Sequence, residues 1–275
     1  MFFSVQDRRS PLIWAHRGCS SLAPENTLAA ARKAHEAGAH GWELDVQLTA
    51  DGQVIVQHDR GLLRVTDVRT HPVFAGRQPY VTARFTLDEL QQLSTGEAFA
   101  RYDRHGQIAA GRVTAAELDA LRREPMPSLK EALALTRDLD MVVNVELKNL
   151  SGLPGADNFV ERTVAVLDEM SMPARVLISS FNFEYLREIQ RSRPQYATAA
   201  LVAHPHPDPV ALMRDLGASA YHPGHAMVDA DLVRRIRRAG LHVNVWTVNS
   251  AERMRELADW GVSGIITDFP QHWRE

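Results

Sequence analysis

Along the chain the apolar positions switch repeatedly between a spacing of two and a spacing near 3.6, the periods of strands and helices. Apolar runs at 12–15, 41–48, 141–147, 175–179, 197–202, 219–222, 242–248 and 264–267 read as strands. Helical patterns lie between them, at about 128–139, 157–170, 182–191, 208–216, 229–239 and 251–259. The first helix opens at Ala23-Pro24-Glu25-Asn26-Thr27 and stops at Gly38, and Ser128 with Glu131 has capping-box spacing. Strands alternating with helices predict a parallel sheet. Eight such units in 275 residues, with no dinucleotide or Walker fingerprint, fit a (β/α)8 TIM barrel better than an open doubly wound sheet.

Two stretches depart from that rhythm. Asp51-Gly52 predicts a two-residue hairpin with a returning strand at 54–57, in the register that sets Ala50 against Gln53 and Asp45 against His58. Residues 59–127 hold Gly76, Gly96, Gly106 and Gly111 and two further capping-box helix starts, Thr86…Glu89 and Thr114…Glu117. Structureless loops of such length are uncommon. The segment therefore predicts a small insertion after the second strand, folded over the C-terminal face of a single catalytic domain spanning 1–275. Within it, Arg101, Arg104, Arg112, Arg122 and Arg123 read as a solvated helical face.

Composition narrows the class. The chain is 45% hydrophobic and 24% charged, ordinary for a soluble protein, and its formal charge of −3 argues against a broad nucleic-acid surface. Cys19 is the sole cysteine, which excludes an intrachain disulfide and a cysteine zinc site and leaves it a small packed residue. No run approaches the ~18 apolar residues of a membrane span, and the opening residues lack a secretory pattern. The expectation is a cytoplasmic, soluble protein.

The chemistry is expected where barrel strands end, because TIM-barrel sites lie on the C-terminal face. On the second strand Trp42, Leu44 and Val46 share one face, and Glu43 and Asp45 the other. Asn144, Glu146 and Lys148 share a face of the third barrel strand. Three carboxylates on adjacent strands repel unless a hard cation binds them, and Glu43, Asp45 and Glu146 suit one Mg²⁺ or Ca²⁺. Arg17 and Lys148 add positive charge suited to a phosphate. His16 and His58 supply a general acid and base. Metal, basic residues and two histidines together suit phosphodiester cleavage. His222, at another strand end, is a weaker candidate; the remaining histidines read as surface or packed core. Trp246 reads either as core or as a wall for a small alcohol.

The ordered set His16-Arg17-Gly18, Pro24-Glu25-Asn26-Thr27, Glu43-Leu44-Asp45-Val46, Thr49…Asp51-Gly52 and His58-Asp59 resembles the glycerophosphodiester phosphodiesterase family. So do Pro127…Leu129…Glu131, Glu146-Leu147-Lys148, Ser180-Phe181, Trp246-Thr247-Val248-Asn249 and Thr267-Asp268-Phe269-Pro270. The resemblance implies hydrolysis of a small-molecule glycerophosphodiester, such as glycerophosphocholine or glycerophosphoethanolamine, to glycerol 3-phosphate and an alcohol. It implies a divalent metal at Glu43, Asp45 and Glu146, acid–base catalysis by His16 and His58, phosphate contacts from Arg17 and Lys148, and Trp246 at the glycerol end. Residues 101–123 are longer than that likeness leads one to expect. The alternatives are a related two-histidine barrel lipase, of the phosphatidylinositol phospholipase C or sphingomyelinase D kind, and a silent barrel that only binds a phosphorylated ligand.

Overall fold

The computed structural model describes residues 10–153 and 155–273; residues 1–9, read above as lacking a secretory pattern, lie outside that range. Its strands are β1 (Leu12–His16), β2 (Gly41–Leu48), β3 (Val54–Val56), β4 (Val142–Leu147), β5 (Val176–Ser180), β6 (Ala197–Val202), β7 (Ala220–Pro223), β8 (His242–Val245) and β9 (Gly264–Thr267). Its helices are α1 (Leu28–Glu36), α2 (Leu87–Leu90), α3 (Gly96–Tyr102), α4 (Ala115–Leu121), α5 (Leu129–Asp138), α6 (Phe159–Met170), α7 (Phe183–Ser192), α8 (Pro209–Leu216), α9 (Ala230–Arg238) and α10 (Ala251–Asp259). All strands but β3 pair in parallel around the ring β1–β2–β4–β5–β6–β7–β8–β9, and β9 pairs again with β1. That is a closed eight-stranded (β/α)8 barrel, as the alternation predicts. No helix among the described residues is long and apolar enough to cross a membrane.

Local chemistry sets the helix ends. Thr27 accepts from the N–H of Ala30 at the start of α1, and Gly38 follows its end at a φ of +77°. Capping boxes close at Thr86–Glu89, Thr114–Glu117 and Ser128–Glu131. The apolar faces of these elements then divide into layers. Outside the barrel, Trp42, Leu44 and Val46 of β2 pack with Leu129, Leu133, Val143 and Val145 under the helices. Inside it, Leu12, Trp14, Val142, Leu177, Ala199, Ala220 and Ile266 pack together. The strand faces opposite the helices are therefore free to carry polar groups at the upper end.

The hairpin differs from its expected register by one residue. Val46 faces Val56 and Leu48 faces Val54, so Asp45 lies opposite Gln57, whose N–H donates to the Asp45 carbonyl at 2.8 Å. Thr49 rather than Ala50 faces Gln53, donating its N–H to the Gln53 carbonyl at 3.0 Å. The loop is thus three residues long, with Gly52 at a φ of +73°. This is the alternative hairpin solution, a turn closed by a left-handed glycine, and the two-residue reading of Asp51-Gly52 misses it. Thr49 tips the choice: its hydroxyl donates to Asp51 Oδ1 at 2.5 Å and accepts the Gln53 N–H at 2.9 Å.

Residues 59–127 pack a small core against Ile55 of β3, with Leu62, Val68, Phe74, Phe85, Leu90 and Leu93 buried together. The arginines there do not form one helical face. Arg101 lies on α3, but Arg104 follows the left-handed Asp103 that ends it and turns toward Glu25.

Candidate active site

Every acidic candidate comes from a strand whose opposite face is locked into the helical layer. Trp42, fully buried, donates from Nε1 to Thr136 Oγ1 on α5 at 2.8 Å, which fixes the β2 face that Glu43 and Asp45 share. Parallel pairing of β2 with β4 sets Glu43 beside Asn144 and Asp45 beside Glu146. As a result one ligand oxygen each of Glu43, Asp45 and Glu146 lies within 4.8 Å of the others, with all three residues buried.

The three carboxylates have different surroundings. Burial pushes Asp45 upward, but Arg17, Lys148 and His58 outweigh it and hold the group well below the usual range. Asn26 reinforces this, donating to Asp45 Oδ2 at 2.8 Å. Burial and the neighbouring charges of Asp45 and Glu146 drive Glu43 well above the usual value. Glu146 is raised by burial and by Asp45, against the pull of Lys148, whose Nζ sits 2.6 Å from Oε1. Glu43 Oε1 is buried with no hydrogen-bond partner. An orphaned carboxylate oxygen beside two further carboxylates is what a hard oxygen-seeking cation satisfies, so this donor set fits a divalent metal.

Arg17 is positioned by strained backbone. It adopts a φ of 57°, followed by Gly18 at 78°. A Cβ on Gly18 would come within 2.5 Å of Ala30 Cβ, so the turn needs glycine both for its dihedral and for its approach to α1. In this turn the Arg17 N–H donates to Glu43 Oε2 at 3.0 Å, while its guanidinium spans Glu25 at 2.8 Å and Asp45 at 3.4 Å. Lys148 Nζ reaches Asp45 as well, at 3.4 Å.

Each histidine stands on a carboxylate. His16 Nδ1 lies 2.7 Å from Asp268 Oδ1, and His58 Nδ1 lies 2.6 Å from Asp59 Oδ1. An ionised carboxylate only accepts, so Nδ1 carries the hydrogen in both rings and Nε2 is the atom left for chemistry. His16 Nε2 sits 4.0 Å from Glu43 Oε2, on the acidic cluster. Asp268 is held in turn by Ser20 Oγ at 2.9 Å and Asn249 Nδ2 at 2.8 Å, and Asp59 by Arg64 Nε at 2.5 Å. His58 reaches the cleft despite the shifted register because β3 ends at Val56. Beyond it, Gln47 Nε2 donates to the carbonyls of Gln57, His58 and Asp59 at 3.0, 3.0 and 2.6 Å and folds the chain back over β2.

A cleft of about 350 Å³ gathers His16, Arg17, Glu43, His58, Glu146, Lys148 and Trp246. Asp45 lies beneath them, within reach of both Arg17 and Lys148. Trp246 is fixed by donation from Nε1 to the His222 carbonyl at 2.8 Å and packs edge-to-face on the half-exposed Phe181. His222 itself is outside the cleft: its side chain is fully buried in the barrel beside Asn244, and burial pulls it down to about 3. Cys19 is packed and buried, its thiol pushed up to about 11 by desolvation. Residue-by-residue reasoning missed Asp59, Asp268, Arg64 and Arg104. Asp59 and Asp268 sit in quoted motifs, where adjacency to His58 and the end of the last strand were the available signals; nothing in the spacing points to Arg104.

The family model for the glycerophosphoryl diester phosphodiesterase family matches residues 16–272. The chain is 34% identical over 260 residues to a glycerophosphodiester phosphodiesterase of Caldanaerobacter subterraneus subsp. tengcongensis, covering 94% of this chain and 95% of that protein. It is 30% identical over 262 residues to one from Bacillus altitudinis, covering 94% of each. Among solved structures, an Oleispira antarctica phosphodiesterase in complex with the product sn-glycerol 3-phosphate superposes with a TM-score of 0.80. That pair is 27% identical and the alignment covers 96% of both chains.

Proposed function

Because the chain belongs to the glycerophosphoryl diester phosphodiesterase family, we propose that its cleft hydrolyses glycerophosphodiesters to glycerol 3-phosphate and an alcohol by two-histidine acid–base catalysis. The observation that carries this reading is the convergence of three buried carboxylates with two histidines, each anchored at Nδ1 by its own aspartate.

Glu43, Asp45 and Glu146 would hold one Mg²⁺ or Ca²⁺, which supplies Lewis-acid polarisation of a phosphoryl oxygen when bound. The remaining work falls to the chain's own side chains. Arg17 and Lys148 bind the phosphate and offset the charge that grows on its oxygens as the nucleophile adds. One histidine takes a proton from the nucleophile at Nε2, and the other gives a proton from Nε2 to the departing alkoxide, each step worth roughly 10²–10⁴-fold. Asp268 and Asp59 hold the rings in the tautomer this needs and stabilise the imidazolium. Trp246 and Phe181 offer an apolar wall to the glycerol carbons. The insertion, 59–127, contributes to the C-terminal face of this one domain and brings Arg104 to the cleft rim.

A coupled assay for glycerol 3-phosphate release, run with and without a chelator, tests the reading. Turnover on glycerophosphodiesters that stops on chelation and returns with a divalent cation is expected. Unchanged turnover after chelation removes the metal from the proposal, and a His58→Ala variant near the wild-type rate removes that residue.

A further inference from the structure

Beside the cleft lies a second cavity of about 290 Å³, walled chiefly by Val65, Ala98, Phe99 and Tyr102, with Arg64 and Arg104 at its polar edge. Arg104 lines both spaces. We propose that this chamber receives the alcohol half of the diester, and that it selects uncharged, apolar alcohols over cationic ones. The proposal rests on the hydrolytic reading above and names the substrate class of that site.

Placement is the first argument. Ser20 lines the chamber and donates to Asp268, the anchor of His16. Arg64 lines it too and binds Asp59, the anchor of His58. The chamber thus backs onto both histidine–aspartate pairs, between which the alcohol departs. Trp246 and Phe181, which follow β8 and β5, line the cleft and take no part in the chamber, so the two apolar surfaces are separate places for the two halves of a diester.

Charge is the second argument. The one carboxylate of the chamber wall, Glu25, already meets Arg17 at 2.8 Å, Arg64 at 2.7 Å and Arg104 at 3.3 Å. These guanidiniums outweigh burial and hold Glu25 down to about 2, so it stays an anion committed to them. Arg17 and Arg64 each have a second carboxylate, in Asp45 and Asp59, whereas Glu25 is the only ion-pair partner of Arg104 among the described residues. An entering ammonium would find no carboxylate that is not already paired with a guanidinium, whereas a hydrocarbon would meet apolar walls.

The test is glycerol 3-phosphate release from sn-glycerophospho-n-alkyl esters, from methyl to hexyl, and from a matched pair of glycerophosphocholine and its neutral 3,3-dimethylbutyl isostere. On the wild-type enzyme kcat/KM should rise two- to fourfold per methylene, the upper value being full burial of each group, and the neutral isostere should exceed glycerophosphocholine at least tenfold. In Ala98→Phe, which fills the chamber, the hexyl-to-methyl ratio should fall tenfold or more. Tyr102→Ala, at an exposed position, should lower that ratio by removing apolar wall, and serves if the buried substitution does not fold. Hydrolysis indifferent to chain length, or choline favoured over its isostere, overturns the subsite alone. No glycerol 3-phosphate from any diester overturns the hydrolytic reading and the subsite with it.

Discussion

His16 Nδ1 lies 2.7 Å from Asp268 Oδ1, joining the end of β1 to the turn after β9, the two strands at which the barrel closes. Asp268 is mostly buried; burial pushes its carboxyl up, but His16, Asn249 and His105 outweigh this and keep it ionised well below the usual range. In Asp268→Asn the amide can turn an N–H toward Nδ1 and favour the wrong tautomer. We expect kcat to fall by about 10²–10⁴-fold, with KM moved only severalfold. A kcat within twofold of wild type would show that Asp268 does not position the ring.

The acidic cluster makes a prediction that needs no turnover. Glu43 is raised by burial and by two like charges, with Oε1 unpartnered. Millimolar Mg²⁺ or Ca²⁺ should therefore raise the melting temperature by several degrees, since a ligand that binds only the native state stabilises it. Glu43→Gln removes one repelling charge, so in chelator it should melt above wild type, and the shift on adding metal should shrink. Calorimetric titration and melting curves check both. A wild-type melting temperature indifferent to divalent cations would count against the site.

His222 links the barrel interior to pH. Its ring is fully buried, and burial lowers it from an ordinary 6.5 to about 3. The unfolded chain thus takes up this proton first as pH falls. The stability it contributes is complete above about pH 6.5 and is lost progressively from there toward 3, at up to about 1.4 kcal/mol per pH unit. Urea midpoints at pH 7 and 5 should show wild type losing about 2 kcal/mol more than His222→Gln. Equal losses in the two proteins would refute the assignment.

The barrel and its acidic triad were legible because both follow from short-range periodicity. Side chains two apart share a strand face, so the apolar Trp42, Leu44 and Val46 by themselves assign Glu43 and Asp45 to the opposite one. Residues acting through long-range closure were not legible in the same way. The pairing of His16 with Asp268 spans nearly the whole chain, and Arg104 reaches Glu25 only because α3 ends in a left-handed residue. The hairpin failed for a subtler reason. Asp51-Gly52 suits either of two loops, and the hydroxyl of Thr49 favours the longer one.

That longer loop leaves His58 dependent on Gln47. Slipping a strand by one residue turns each side chain to the opposite face, so the ladder alone would point His58 away from Asp45. The Gln47 amide instead gathers the carbonyls of Gln57, His58 and Asp59 above β2, with its own side chain buried. Gln47→Leu keeps the volume and removes the donor, leaving carbonyls that turn toward water and carry His58 with them. Each buried acceptor left unmade costs about 1–3 kcal/mol, so the variant should melt several degrees lower. Its kcat should fall at least tenfold, while divalent binding at Glu43, Asp45 and Glu146 stays near wild type by calorimetry. Gln47→Met, of similar volume and likewise without a donor, should behave like the leucine variant. If either variant keeps the wild-type kcat, His58 is held by Asp59 alone and Gln47 is only part of the packing.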